Sequence, residues 1–305
     1  MPRSRHSHLT PVLQALFVTF LWSTSWVLIK FGLKEIPALS FAGMRYVLAF
    51  LVLAPAVPAS PELRAQLRRL SRSDWLRLAL LGVVFYSLTQ GAQFVALDFL
   101  PAVTLSLILS FSPAAVALLG VSFLDERLGR RQWAGVACFL LGAMLYFLPL
   151  RVAFHGVGLA VAVLAMLANS AGTLLGRSVN RRGDLHPLLV TVVSMGVGSL
   201  LLLATGLLVE GVPRLDGSAL AIILWLAIVN TAVAFTLWNH TLRRLTAIES
   251  SLINNTMLVQ VAILAWLFLG EPIGLREAGG LLLAVIGVVL VQLPGASREV
   301  SKAVS

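Results

Sequence analysis

Ten stretches of this chain are too long and too uniformly apolar for the core of a soluble domain. They run approximately over residues 11–33, 38–57, 75–97, 102–124, 132–149, 156–178, 187–208, 218–241, 247–269 and 276–293, with short polar segments between them. At 1.5 Å rise per residue, a helix of this length crosses roughly 30 Å of hydrocarbon. A lipid-spanning strand would instead alternate apolar and polar residues over about ten positions, and none of these stretches does. The pattern therefore predicts an all-α integral membrane protein with ten transmembrane helices, spans 1 to 10. A charged fraction of only 12% agrees with this, since soluble domains carry roughly twice as much.

The net charge of +10 invites a nucleic-acid reading. That reading needs a basic face on a folded soluble domain, and the spans leave no room for one, so no nucleic-acid partner is expected. Cys138 stands alone and reads as a small packing residue in span 5. The opening "MPRSRHSH" and the apolar run after it resemble a secretory signal. The run continues past signal length through "VTFLWSTSWVLIKFGL" with no small-x-small cleavage site, and is read as a retained first helix. The five histidines, at 6, 8, 155, 186 and 240, stand near span ends or chain termini, and neither HExxH nor GxxxxGK[ST] occurs. No enzyme activity, metal, cofactor or ATP motor is expected.

Basic residues sort the loops by side. With the N-terminus inside, Arg3, Arg5, Arg64, Arg68, Arg69, Arg72, Arg77, Arg127, Arg130, Arg131, Arg177, Arg181, Arg182, Arg243, Arg244, Arg298 and Lys302 all fall in the cytoplasm. Only Lys34, Arg151, Arg214 and Arg276 fall outside, while Lys30 and Arg45 lie within spans. The positive-inside rule then places both termini in the cytoplasm. The arginines of "FLDERLGRRQWAG" (123–135) shrink to Arg276 in the related stretch "FLGEPIGLREAGG" (268–280), because five spans separate the copies and put them on opposite faces. At this constant offset, residues 96–145 match 241–290 at about a third of positions, including Ser106/Ser251, Glu126/Glu271 and Gly142/Gly287. Residues 1–150 and 151–305 thus read as two five-helix repeats of inverted topology, the second ending in a short cytoplasmic tail. Such repeats are the mark of a secondary transporter with its site near the midplane.

The stretches "LWSTSWVLIKFGLKEIPALSFAGMRYVLAF", "FLDERLGRRQWAGVACFLLG" and "WNHTLRRLTAIESSL…FLGEPIGLREAGGLLLAVIGVVLV" resemble the EamA type of the drug/metabolite transporter superfamily. The resemblance covers nearly the whole chain, and the doubled L-x-E-x-x-G turn is its most specific part. It implies ten helices in two tandem repeats, a bacterial inner (cytoplasmic) membrane, and efflux of small metabolites such as amino acids. Where family members often carry Glu-Pro in span 9, this chain has "NNTMLVQ" (254–260), so no role of that pair transfers.

Polar and charged side chains inside spans supply the candidate site. An intramembrane charge costs at least about 2.5–3.5 kcal/mol on insertion scales. Arg45 in span 2 either faces a cavity as a receptor for an anionic group, or pairs with Asp98 or helix-end carbonyls, or snorkels. Lys30, near the outer end of span 1, either snorkels outward or acts with Thr19, Ser23 and Trp26 in a stripe at helical spacing, which should face a cavity or a partner helix. Tyr86, Thr89, Gln90 and Gln93 fall at i, i+3, i+4 and i+7 in span 3 and are read as pathway-lining. Ser106 and Ser110 of span 4 recur as Ser251 and Asn255 of span 9, with Asn254 beside the latter; interhelical packing would use the same residues. Asn169, Thr173 and Asn230 complete the set, and Thr231 and Trp238 carry less weight. Pro113 should distort span 4. Gly172/Gly176, Gly135/Gly142 and Gly280/Gly287 read as packing devices, and Glu126 and Glu271 as capping or bridging groups of tight turns.

The function expected is export of small polar or amphipathic metabolites by alternating access, with a small-molecule substrate and the lipid bilayer as partners. The alternative is a carrier or flippase for phosphate-bearing sugar nucleotides or lipid head groups. Proton coupling through His240 or Glu249 competes with simple neutralisation of Arg243 or Arg244 by Glu249. The oligomeric state is read as monomer or homodimer.

Overall fold

The computed structural model describes residues 5–112, 115, 129–147, 156–180, 185–242, 245 and 247–292. Its helices are α1 (Arg5–Gly32), α2 (Ala38–Leu53), α3 (Ala56–Ala59), α4 (Pro61–Arg68), α5 (Arg72–Leu81), α6 (Gln90–Phe99), α7 (Ala102–Leu109), α8 (Arg130–Phe147), α9 (Gly156–Asn180), α10 (Pro187–Glu210), α11 (Gly217–Ala227), α12 (Ala234–Leu242), α13 (Ala247–Leu269) and α14 (Leu275–Gln292). Among the described residues, five stretches are long and apolar enough to cross a membrane: Leu9–Gly32, Ala38–Ala59, Arg72–Phe99, Gly156–Gly176 and Pro187–Glu210. The protein is an all-helical, multi-span membrane protein.

Two features depart from the ten uniform helices expected. The segment between spans 2 and 3 folds into α3 and α4. Pro61 opens α4 where its missing N–H is harmless, and the Ser60 hydroxyl accepts from the Leu63 N–H at 3.4 Å. Ser71 and Asp74 then cap α5 reciprocally, with bonds of 3.0 and 3.2 Å. Spans 3 and 8 are each interrupted by a π-helical segment, Gly82–Thr89 joining α5 to α6 and Ile228–Val233 joining α11 to α12. In both, a threonine hydroxyl follows the widened turn and donates to the carbonyl five residues back, Thr89 to Val84 and Thr231 to Leu226, each at 2.8 Å. Pro113 and Glu126 lie outside the described residues.

The chain packs into two compact units, and each draws on both halves of the sequence. The first comprises Met1–Thr24, Pro101–Phe154 and Leu237–Ser305; the second comprises Ser25–Leu100 and His155–Thr236. In the first unit, α8 and α14 meet backbone to backbone over the repeated glycines. A Cβ on Gly142 would stand 2.6 Å from the Ala284 nitrogen and the Gly280 oxygen, and one on Gly287 would stand 2.5 Å from the Phe139 nitrogen. Lipid offers no hydrophobic drive for helix association, so this closeness is what holds the pair. Polar groups join α1 to α13: the Ser23 hydroxyl donates to Gln260 Oε1 at 2.9 Å, and Gln260 Nε2 reaches Thr256 at 3.0 Å and Thr19 at 3.3 Å. Thr19 and Ser23, fully buried, therefore face a partner helix.

The second unit repeats the glycine device between α10 and its neighbours. A Cβ on Gly198 would fall 2.1 Å from the Gly82 carbonyl oxygen, one on Gly206 2.6 Å from the Ser40 nitrogen, and one on Gly43 2.5 Å from the Leu203 Cα. On α9, Gly172 closes on Phe85, where a Cβ would meet the ring at 2.6 Å. At one end, Val57, Leu63, Leu78, Val179 and Leu189 form an apolar cluster that α4 covers.

Two carboxylates hold helix starts that their own residues leave bare. Pro37 and Pro101 are the N-caps of α2 and α7, and neither offers a side-chain acceptor. Glu210, at the end of α10, accepts from the N–H groups of Leu39 and Ser40 at 2.9 and 2.8 Å. Glu271, after α13, accepts from those of Ala102 and Val103 at 2.7 and 3.0 Å. Gly270, at φ 66°, makes the left-handed turn that sets up Glu271, whose own N–H returns to the Ala265 carbonyl at 3.3 Å. The capping role expected for Glu271 thus holds, at the start of span 4 rather than in its own turn. Asp216 caps α11, accepting from the Ala219 N–H at 2.7 Å and from the Ser218 hydroxyl, which keeps its carboxyl below the usual range.

Glu271→Ala should lower stability by about 1–3 kcal/mol, the cost of leaving buried donors unmet, and Glu271→Gln by less, since one acceptor oxygen remains. Gly142→Ala should cost about 1–3 kcal/mol through backbone overlap, whereas Gly217→Ala, with nothing within 4 Å of its Cβ, should be nearly neutral. Thermal unfolding in detergent checks all four.

Candidate functional site

The second unit buries a guanidinium in an aromatic setting. Arg45 lies on α2 and is 5% exposed. Its Nε donates to Thr231 Oγ1 at 3.1 Å. Because the Thr231 proton is directed at the Leu226 carbonyl, the hydroxyl is left as a pure acceptor for Arg45. The π-helical turn thus fixes the orientation of the arginine's partner. The rings of Tyr46 and Phe94 stand 5.2 and 6.0 Å from the guanidinium carbon, within cation–π range. Tyr46 is held in turn, donating from its hydroxyl to Gln90 Oε1 at 2.6 Å and packing against the Tyr86 ring at 5.9 Å.

Among the described residues, no acceptor meets either terminal nitrogen of Arg45 and no carboxylate pairs with it. The pairing with Asp98 does not occur: Asp98 is exposed and Arg45 buried. A cation withdrawn from water without a counter-charge costs several kcal/mol, and one hydroxyl and two ring faces offset only part of that. Nη1 and Nη2 present the planar fork that matches a carboxylate or phosphate bidentately. Chemically, such a fork can receive an anionic group.

The structure gathers some expected site residues and separates others. Arg45, Tyr86, Thr89, Gln90 and Asn230 belong to the second unit, with Thr89 and Asn230 fully buried and Tyr86 5% exposed. Gln93, Trp26 and Lys30 are half-buried in the same unit, as is Asn169, while Thr173 is exposed and its hydroxyl donates to the Asn169 carbonyl at 2.8 Å. The i, i+3, i+4, i+7 stripe on span 3 is not one α-helical face, since Tyr86 and Thr89 lie in the π segment and Gln90 and Gln93 beyond it. Ser106 and Ser110 lie in the first unit and donate to their own helix carbonyls, Val103 and Leu107, at 2.9 and 2.7 Å. In α13, Asn254 is exposed and Asn255 half-buried. The side chains of Ser251, His240 and Glu249 lie outside the described residues. Trp238 packs its ring 5.2 Å from that of Trp22.

Sequence reasoning passed over Tyr46, Phe94 and Gln260. Tyr46 carried a signal, a phenol adjacent to an intramembrane arginine, and Gln260 another, an amide within the apolar run that ends α13. Phe94 carried none, being one apolar residue among many.

The pattern of the EamA-like transporter family matches residues 9–148 and again 156–293. A probable amino-acid metabolite efflux pump of Salmonella typhimurium is 28% identical over 290 residues, covering 88% of this chain and 90% of the relative. An S-adenosylmethionine/S-adenosylhomocysteine transporter of Chlamydia trachomatis is 28% identical over 289 residues, covering 89% and 86%. One crystal structure shares the fold at a TM-score of 0.66 and 18% identity, covering 93% of this chain and 97% of that one. With two copies of the family pattern spanning nearly its whole length, the chain belongs to the EamA-like transporter family, as a membrane transporter and not an enzyme.

Proposed function

We propose that the protein is a secondary transporter that exports small carboxylate-bearing metabolites, amino acids or their relatives, across the bacterial cytoplasmic membrane by alternating access. The observation that carries this reading is Arg45, a buried cation with its terminal N–H groups unmet among the described residues and its Nε fixed by Thr231. An α-carboxylate on that fork supplies the counter-charge the protein lacks, while Tyr46 and Phe94 offer flanking apolar surface. Two relatives support the same class: one is named a probable amino-acid metabolite efflux pump and the other a transporter of S-adenosylmethionine and S-adenosylhomocysteine, both of which carry an α-carboxylate. The excess of arginine in loops of one parity supports cytoplasmic termini, and the recurrence at offset 145 supports inverted repeats over residues 1–150 and 151–305.

In proteoliposomes, Arg45→Gln should lower transport efficiency for amino-acid substrates by about 10- to 100-fold, equivalent to roughly 1.4–2.8 kcal/mol. Arg45→Lys should recover part of it, because the charge returns without the fork. Substrate amides should be insensitive to both changes. Uniform losses across acids and amides, or transport only of sugar nucleotides and polyprenyl phosphates, would overturn the assignment. In a Cys138→Ala background, Gly274→Cys should react with an impermeant maleimide in whole cells, whereas Gly129→Cys should react only after the membrane is permeabilised.

A further inference from the structure

The segment between spans 2 and 3 carries a second concentration of charge with no part in the Arg45 site. Within nine residues stand Arg64, Arg68, Arg69 and Arg72, all exposed. Two acidic residues, Glu62 and Asp74, lie nearby, and Asp74 is engaged with the Ser71 N–H and hydroxyl at 3.0 and 2.6 Å. These arginines do not sit on a loose loop. Leu63, 5% exposed, anchors α4 in the apolar cluster with Val57, Leu78, Leu81 and Leu189, and Leu67 and Leu70 pack beside it. Gln66, on the same helix, accepts from the His186 N–H at 2.9 Å, which ties α4 to the start of α10. Arg64 donates to the Pro58 carbonyl. The helix therefore holds its apolar side on the end of the helical bundle and its basic side outward.

A second observation shows what the basic side meets. The first turns of α5 carry Trp75 and Leu76, which are 44% and 71% exposed. An exposed indole and leucine at the start of a membrane-crossing helix belong at the boundary of headgroup and acyl chain. Arg72 precedes Trp75 by three residues, and so lies at the level of lipid phosphates. Guanidinium groups suit phosphate oxygens through paired N–H donors, and a basic segment beside a membrane is attracted to an anionic leaflet.

We propose that α4 and the turn into α5 form a docking surface for anionic phospholipid headgroups, with Arg64, Arg68, Arg69 and Arg72 on the phosphates and Trp75 and Leu76 against the acyl chains. The surface is independent of the transported substrate. It seats the end of the second unit on the lipid, at the linker that follows the helix bearing Arg45. A merely solvated arginine cluster would show no preference between phospholipids of the same chain length.

The test uses the full-length protein in bilayers of mixed phosphatidylcholine and phosphatidylglycerol, with retained lipids counted by native mass spectrometry. The wild type should retain phosphatidylglycerol in excess. Replacing Arg64, Arg68, Arg69 and Arg72 together by Gln should reduce that retention at least about threefold, with an unchanged melting temperature in phosphatidylcholine alone. Replacing the four by Lys should keep most of it, and so should Arg214→Gln/Arg276→Gln, which removes charge elsewhere. Should the fourfold Gln variant fail to fold, Arg64→Gln/Arg68→Gln should still lose about half of the excess. Equal retention in the wild type, the Gln variants and the Arg214/Arg276 control overturns the proposal. Complete displacement by excess inorganic phosphate overturns it too, because the cluster would then be a site for the free anion.

Discussion

A helix that begins inside or near a membrane must find acceptors for its first N–H groups, and this protein meets that demand with carboxylates brought from elsewhere in the chain. Pro37 and Pro101 start their helices with the right φ but no capping oxygen. Glu210 and Glu271 supply two oxygens each, at 2.7–3.0 Å. A negative charge there also complements the positive end of the helix dipole. Each bond set couples segments more than 165 residues apart in sequence, so the caps set tertiary register as well as helix ends. In the second unit, the cap on α2 fixes the helix that carries Arg45.

Close helix contact then does what hydrophobicity cannot in lipid. The Gly142–Gly280–Gly287 contact in one unit and the Gly82–Gly198 contact in the other let main chains touch, while the Gln260 network adds directional bonds between α1 and α13. Against this rigid frame Arg45 is the exception. Its Nε is held by Thr231, while among the described residues its two terminal nitrogens meet no acceptor.

The spans were legible because apolar length is a one-dimensional property: each predicted block that lies among the described residues begins within a few positions of a helix. Repeated glycines were legible for the same reason, as spacing alone predicts a close approach. Arg45 was legible by its cost in hydrocarbon. The partners were not, because Thr231 and Phe94 reach it through folding and nothing at their own positions announces the contact. Glu210 escaped notice since a carboxylate at a span end looks solvated until the bare helix start opposite it is known. The stripe on span 3 was drawn with α-helical spacing and failed at the π segment, where hydrogen bonds skip a residue that no propensity reveals.

That skipped residue has an evolutionary consequence. A π turn is an α-helix with one residue too many, absorbed by the widened turn, so removing it would restore the regular ladder and leave the helix on either side in its orientation. In span 3 the downstream part carries Gln90, the acceptor that steadies Tyr46, and Phe94. In span 8 the wide turn itself presents Thr231 to Arg45. A one-codon deletion in either segment would close the wide turn, and with it the five-residue reach by which Thr89 and Thr231 return to their carbonyls, while leaving the rest of the span in register.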